Sequence, residues 1–482
     1  MAAVTMAAPL TVRNLSTTPV ELKLIERFGP PAGEEEHGFG HIKKFGALTK
    51  NVTRVFNDTE SSPPKLADDA QSFARQDVNI RIEPWTTQHT DIAASERGPG
   101  EVLRLTFEAD GQPYRIDTPS PKPQSQVLVP LVPDPRHQYT GVFIPSETYL
   151  TLYSSMNLNC WMKEFRDETP LSGLSIPGTH NSPTYHRALP SVRCQAVSPR
   201  EQLENGVRFF DIRVQPGEPE DPTKDTLILV HGVFPISLSG NKYFRDLAND
   251  TLEFLDRNPS ETVIMSIKRE GPGEHTDQQL SMIMHDHYSM DGSRWHTAPW
   301  IPTLGNARNK IVLMRRFALD DRLKGEYGGR GWNIDAENWA YNTPNDTHGD
   351  VCVQDFCEVL ETENIDIKIK YSTEHLERAA QMTCPIPGIT TDAVNPVPPG
   401  PFYLNFLSAS NFWKVGCWPE KIAQRLNPTI VEFLCTKHAE GVEGDGSTGI
   451  VVCDWVGANG DWDLVRCIVG MNSRLLMKEM GQ

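Results

Sequence analysis

Two rhythms of apolar and polar residues divide the chain near residue 150. Before it, short runs alternate with a period of two: LTVRNLS (10–16), VELKLIERF (20–28), VTRVFND (52–58), VNIRIEPW (78–85), EVLRLTFEA (101–109) and QVLVPLV (126–132). Alternation puts every second side chain on one face, the pattern of a half-buried strand. Gly, Pro, Asn and Ser separate the runs, and the breaker-rich loops GPPAGEEEHGFG (29–40) and TPSPKPQSQ (118–126) lie among them. These features predict an antiparallel sandwich over residues 1–150. It carries no catalytic constellation and reads as an accessory binding or packing domain.

From about residue 160 the runs become continuously apolar and β-branched: LSGLSIPG, VRFFDIRV, TLILVHG, TVIMSIKR, KIVLMRRF, VCVQDF, FYLNFLSAS and GIVVCDWV. Strands buried on both faces belong to parallel sheets. Eight of them, with crossovers between, predict an α/β fold: a TIM-type (β/α)₈ barrel over residues 151–482. Distortion or opening is expected where the intervening helices read weakly. DLANDTLEFLDRNP (246–259) and EHTDQQLSMIMHDHY (274–288) are the clearest helices.

Composition changes this picture little. The chain has 482 residues, 38% of them hydrophobic and 23% charged, which excludes disorder throughout. A formal charge of −17 excludes wholesale nucleic-acid binding and gives no general attraction to anionic membranes. An anionic substrate must therefore meet a local basic site. Nine cysteines in no framework spacing read as free thiols, with no zinc motif around Cys352 and Cys357. MAAVTMAAPLTV lacks the basic start of a signal peptide, and no stretch reaches the ~18 apolar residues of a span. A cytoplasmic location is expected, with leaderless export as the alternative.

In a barrel, chemistry collects at the C-terminal strand ends. Those ends carry His180, Asp211 with Arg213, His231, Lys268, Arg316, Asp355 and Asp454 in turn. An unpaired buried charge costs several kcal/mol, whereas a ring of both signs compensates itself and can hold a charged polyol substrate. Two histidines can serve as general base and acid near neutral pH. A guanidinium can neutralise phosphoryl oxygens. Lysine and carboxylates can grip hydroxyls. The set points to phosphoryl transfer in a polyol phosphodiester. No metal or other cofactor is expected, because Arg213 stands where a second metal carboxylate would be needed.

At these residues the sequence resembles the bacterial-type phosphatidylinositol-specific phospholipase C (X-domain) family. SIPGTHNS, NGVRFFDIR, LVHG, NPSETVIMSIKRE, KIVLMRRF, VQD, FYLNFLSAS and VVCDW look like family blocks in family order, from about 160 to 475. The resemblance implies cleavage of phosphatidylinositol, or a related inositol- or glycan-linked phosphodiester, to diacylglycerol and a cyclic inositol phosphate. His180 would be the base, Asp454 its partner and His231 the acid. Arg213 would neutralise the phosphoryl group where eukaryotic relatives place calcium, with Asp211 fixing it. Lys268, Arg316, Asp355 and Asn181 would contact substrate. Asn181 and Cys357 depart from the family's aspartate and stacking tyrosine. The rim segment SASNFWKVGCWP offers Phe412, Trp413 and Trp418 for transient membrane contact, with burial under a long loop as the alternative. A non-catalytic lipid- or glycan-binding barrel and a calcium-dependent phosphodiesterase are the alternative functions.

Overall fold

The computed structural model describes residues 8–29, 66, 70–93, 100–120, 123–221 and 223–481. The expected strand VTRVFND and almost all of the loop GPPAGEEEHGFG lie outside the described residues. The chain divides into two compact units, Met1–Asn14 with Thr18–Leu152, and Leu15–Thr17 with Tyr153–Gln482.

The first unit contains two five-stranded sheets. Pro9–Leu15, Thr86–Ala93, Ser125–Val127, Tyr139–Ile144 and Tyr149–Ser154 form one, and Val20–Phe28, Ala74–Ile82, Val102–Ala109, Gln112–Thr118 and Val129–Pro130 the other. Antiparallel pairs run through both. The run QVLVPLV is split: its first part pairs in one sheet and Val129–Pro130 in the other. Along Val102–Ala109 every second residue is buried from Leu103 onward. The apolar sets meet, since Leu10 and Val12 of one sheet share a cluster with Leu22, Leu105 and Phe107 of the other. Each such side chain, fully buried, contributes about 1.5–3 kcal/mol.

The second unit is mixed α/β. Seven longer strands form the parallel body of its twelve-stranded sheet: β1 (Ile176–Thr179), β2 (Phe209–Pro216), β3 (Val263–Arg269), β4 (Ile311–Arg316), β5 (Val351–Gln354), β6 (Phe402–Phe406) and β7 (Ile450–Cys453). Their spatial order is β4-β3-β2-β1-β7-β6-β5. Every adjacent pair is parallel. β1, β5 and β7 are buried at every residue, as expected for strands covered on both faces. α1 (Phe244–Arg257) and α2 (Asn364–Ala380) are among the covering helices, and α1 ends just before Pro259 as the sequence predicts.

The expected count of eight staves is corrected at two places. TLILVHG is no stave: Leu227–His231 pairs antiparallel with the end of β2 and forms a hairpin with Phe234–Pro235. Where another stave would run beside β4, two short parallel pieces stand instead, Trp295–His296 and Ile334–Asp335. Two residues carry no readable periodicity, so neither piece was visible in the pattern.

Candidate active site

Parallel register fixes the level of each polar side chain. Arg213 of β2 pairs with Lys268 of β3, which pairs with Arg316 of β4. Three cations therefore stand in one row across three adjacent strands. Asp211 lies two residues before Arg213 and so shares its face. On the other side Thr179 pairs with Cys453, so His180 and Asp454 leave their strands together.

The row is held by two carboxylates. Asp211 is fully buried and receives both Nε (3.0 Å) and Nη2 (2.9 Å) of Arg213, a two-pronged contact. Nη1 of Arg316 reaches it at 3.4 Å. Burial opposes its ionisation, but Arg213 and then Arg316 hold its carboxyl at about 2. Glu270, the second anion, accepts Nη1 of Arg213 at 2.5 Å and Nζ of Lys268 at 3.2 Å. Sequence reading passed over it. Its signal was present, since it stands two residues beyond Lys268 in the block SIKRE. Burial and the repulsion of Arg213 push Arg316 down to about 10. Its guanidinium lies 3.9 Å from the centroid of Trp339.

The two imidazoles have different settings. Nδ1 of His180 is 2.9 Å from Oδ1 of Asp454, so in the neutral ring the proton sits on Nδ1 and Nε2 presents its lone pair. Asn181 Nδ2 donates to that Nε2 at 3.1 Å. Asn181 adopts φ 40°, in the left-handed region that asparagine tolerates, and its N–H donates to Asp211 at 3.2 Å. Asn181 thus meets His180 through its side chain and Asp211 through its backbone. Nδ1–H of His231 donates to the carbonyl of Val192 at 2.8 Å, leaving its Nε2 free of that anchor. The ring centroids stand 5.9 Å apart at 89°. His231 reaches this place from the hairpin rather than from a strand of the parallel sheet, and Glu270 ties the hairpin down by accepting the N–H of Gly232 at 2.8 Å.

Cys194 was also missed. It is fully buried, and its Sγ lies 3.8 Å from Nδ1 of His231. The loop that holds it has no periodic signal. Burial opposes protonation of His180, but Asp454 and then Cys194 outweigh it and hold the imidazole well above its usual value. For His231 burial again lowers, while Cys194 and the Val192 carbonyl carry the net shift upward despite His180.

Asp355 stands one step away. It accepts Nε1–H of Trp339 at 3.0 Å, and Trp339 carries Arg316 on its ring. Cys357 is half-buried, its N–H bound to Oδ1 of Asn342. Among the rim aromatics Trp413 is 88% exposed, Phe412 stacks on Phe234 at 5.3 Å, and Trp418 is half-buried. No described helix is long and apolar enough to cross a membrane.

At the C-terminal end of the parallel sheet, His180 from β1 and His231 from the adjoining hairpin thus stand near a row of cations, a set suited to a phosphodiester. The comparisons agree. Residues 168–317 match the model of the phosphatidylinositol-specific phospholipase C, X domain. The resemblance read from the sequence blocks holds. The chain is 34% identical over 171 residues to the 1-phosphatidylinositol phosphodiesterase of Listeria monocytogenes, covering 33% of this chain and 50% of that protein. It is 23% identical over 326 residues to the protein of that name from Staphylococcus aureus, covering 65% of this chain and 93% of the relative. A crystal structure of the phosphatidylinositol-specific phospholipase C of S. aureus superposes with a TM-score of 0.49 at 22% identity, over 65% of this chain and 97% of that one.

Proposed function

We propose that this protein is a metal-independent phosphodiesterase of the lyase type. It cleaves phosphatidylinositol, or a related inositol- or glycan-linked phosphodiester, to diacylglycerol and a cyclic inositol phosphate. The observation that carries this reading is the complementary setting of the two imidazoles, their ring centroids 5.9 Å apart, with Nε2 of His180 4.0 Å from the Asp211 that anchors Arg213.

Nε2 of His180 takes the proton of the inositol hydroxyl next to the phosphate, which first displaces the Asn181 amide. That oxygen attacks phosphorus and closes the ring. The bond to the glycerol oxygen breaks, and Nε2–H of His231 protonates the departing oxygen. Asp454 holds the tautomer and balances the imidazolium that forms on His180. Arg213, fixed by Asp211 and Glu270, faces the phosphoryl oxygens with its permanent charge. Lys268, Arg316 and Asp355 contact the hydroxyls, with Trp339 linking the last two.

In this reading the parallel sheet of the second unit is an incomplete TIM-type barrel, and the first unit, about residues 1–150, is a sandwich-like accessory domain. Trp413 and Phe412 touch the lipid surface transiently. Arg213 supplies the positive charge that a calcium-dependent enzyme draws from its ion. A binding barrel without catalysis would use the cation row but not the paired histidine settings.

The test is a panel of vesicles, each containing one phospholipid in a phosphatidylcholine background, assayed for released diacylglycerol. Release from phosphatidylinositol that disappears in His180→Gln and His231→Gln is expected. Binding of the inositol lipid with no release by the wild type would replace the enzyme with a binding protein.

A further inference from the structure

We propose that His180, Cys194 and Asp454 together form a binding site for a soft divalent cation, zinc above all, and that its occupation switches the protein off. Their ligand atoms all lie within 4.8 Å of one another, and among the described residues they are the one such cluster of histidine, cysteine and acidic side chains. Cys194 and Asp454 are buried, and His180 is partly open to solvent, which gives an ion a way in.

Donor chemistry selects the metal. A thiolate, an imidazole nitrogen and a carboxylate oxygen form a set that zinc takes readily, whereas calcium and magnesium prefer all-oxygen sites. Zinc bonds of about 2.0–2.3 Å place tetrahedral ligands roughly 3.3–3.6 Å apart. The Nδ1 to Oδ1 distance of 2.9 Å has to open slightly, and Sγ, no more than 4.8 Å from the other ligand atoms, has to settle to tetrahedral spacing. Water fills the fourth position. The loop that carries Cys194 is anchored to the strand ends by Gln195, whose Nε2 donates to the carbonyls of His180 (2.7 Å) and Cys453 (2.9 Å), so the thiol is held beside the pair.

The protons account for the effect. The thiol gives its proton to solvent as the metal binds. Nδ1 of His180 becomes a ligand, so the proton of the neutral ring moves to Nε2. The lone pair that faces a substrate hydroxyl is then gone, and Asp454 is drawn from the ring to the metal. Only this inhibitory consequence rests on the proposed reaction. Binding itself rests on the geometry of the cluster, and it can be read without substrate.

The experiment uses the full chain, stripped with a chelator and freed of it, with zinc and cobalt(II) as probes. Competition against a chromophoric chelator measures zinc affinity, and the near-ultraviolet sulfur-to-cobalt charge-transfer band reports a thiolate ligand. One zinc should bind at micromolar concentration or tighter. Cys194→Ser should weaken binding at least tenfold and abolish the band. Asp454→Asn should weaken binding but keep the band. In wild type labelled with ¹⁵N-histidine, zinc should move the Nδ1 resonance of one ring and leave its Nε2 protonated, a readout that does not depend on any variant folding. Zinc should also reduce phosphatidylinositol turnover in wild type at concentrations at least tenfold below those needed for Cys194→Ser. Absence of stoichiometric binding, a band that survives in Cys194→Ser, or an unmoved Nδ1 resonance overturns the site. Stoichiometric binding through Cys194 with undiminished turnover overturns the switch and leaves the site.

Discussion

Oδ1 of Asp454 lies 2.9 Å from Nδ1 of His180, although 274 residues separate them in the chain. β1 and β7 bring the pair together, because Thr179 and Cys453 are partners in register. In the proposed reaction the carboxylate fixes which nitrogen of His180 carries the proton and stabilises the charge the ring acquires. Asp454→Asn keeps the shape but removes the charge. Turnover of phosphatidylinositol should fall by about 10²–10⁴-fold with little change in KM, as for loss of an orienting carboxylate beside a catalytic histidine. Steady-state kinetics on vesicles check this.

Activity should follow a bell-shaped curve in pH. In the proposed reaction His180 acts neutral, so activity is lost as pH falls through its pKa. His231 acts protonated, so activity is lost as pH rises through its own. Both are raised from the ordinary imidazole value, His180 strongly, so both limbs should lie above about pH 6.5. The rings are close enough to titrate as a pair, and the limbs belong to the pair. A kcat/KM profile with an optimum on the alkaline side is expected.

Asn181→Asp should move the acid limb to higher pH. The side chain at this position meets Nε2 of His180, and a carboxylate there favours the protonated ring that cannot act as base. Each unit by which the limb moves should cost about tenfold in kcat/KM below it. The same profile measured on the variant reads the shift directly.

Much of this arrangement was legible in the sequence, and the reasons for the gaps are physical. Seven apolar runs became the seven long parallel strands because a stave buried on both faces has to be apolar throughout. TLILVHG looked the same, yet its burial is interrupted at Ile228, and it forms a hairpin that delivers His231 from beside the sheet. Glu270 shares a period of two with Lys268, but an acid after Lys-Arg also reads as a solvated strand end. Cys194 and Trp339 lie in irregular segments, where no period ties a residue to its neighbours. Arg208 and Arg213 belong to one block, NGVRFFDIR, and only the structure separates their settings.

Arg208 is a structural residue. It is wholly buried, pairs with Glu261 at 2.9 Å, and spends its other N–H groups on the carbonyls of Leu203, Val207, Leu158 and Asn159. Arg208→Met leaves a buried carboxylate and four carbonyls without that donor. The folded state should lose about 3–5 kcal/mol, the usual cost of removing one partner of a buried pair. Denaturant unfolding measures it.

The most direct measurement is the identity of the phosphorus product made from phosphatidylinositol vesicles in the presence of a chelator. Phosphorus-31 NMR should show the lipid phosphodiester signal give way to that of a five-membered cyclic inositol phosphate, at a rate the chelator does not lower. Turnover that appears only when calcium is restored, or a wild-type sample in which the lipid signal persists unchanged, would contradict the account.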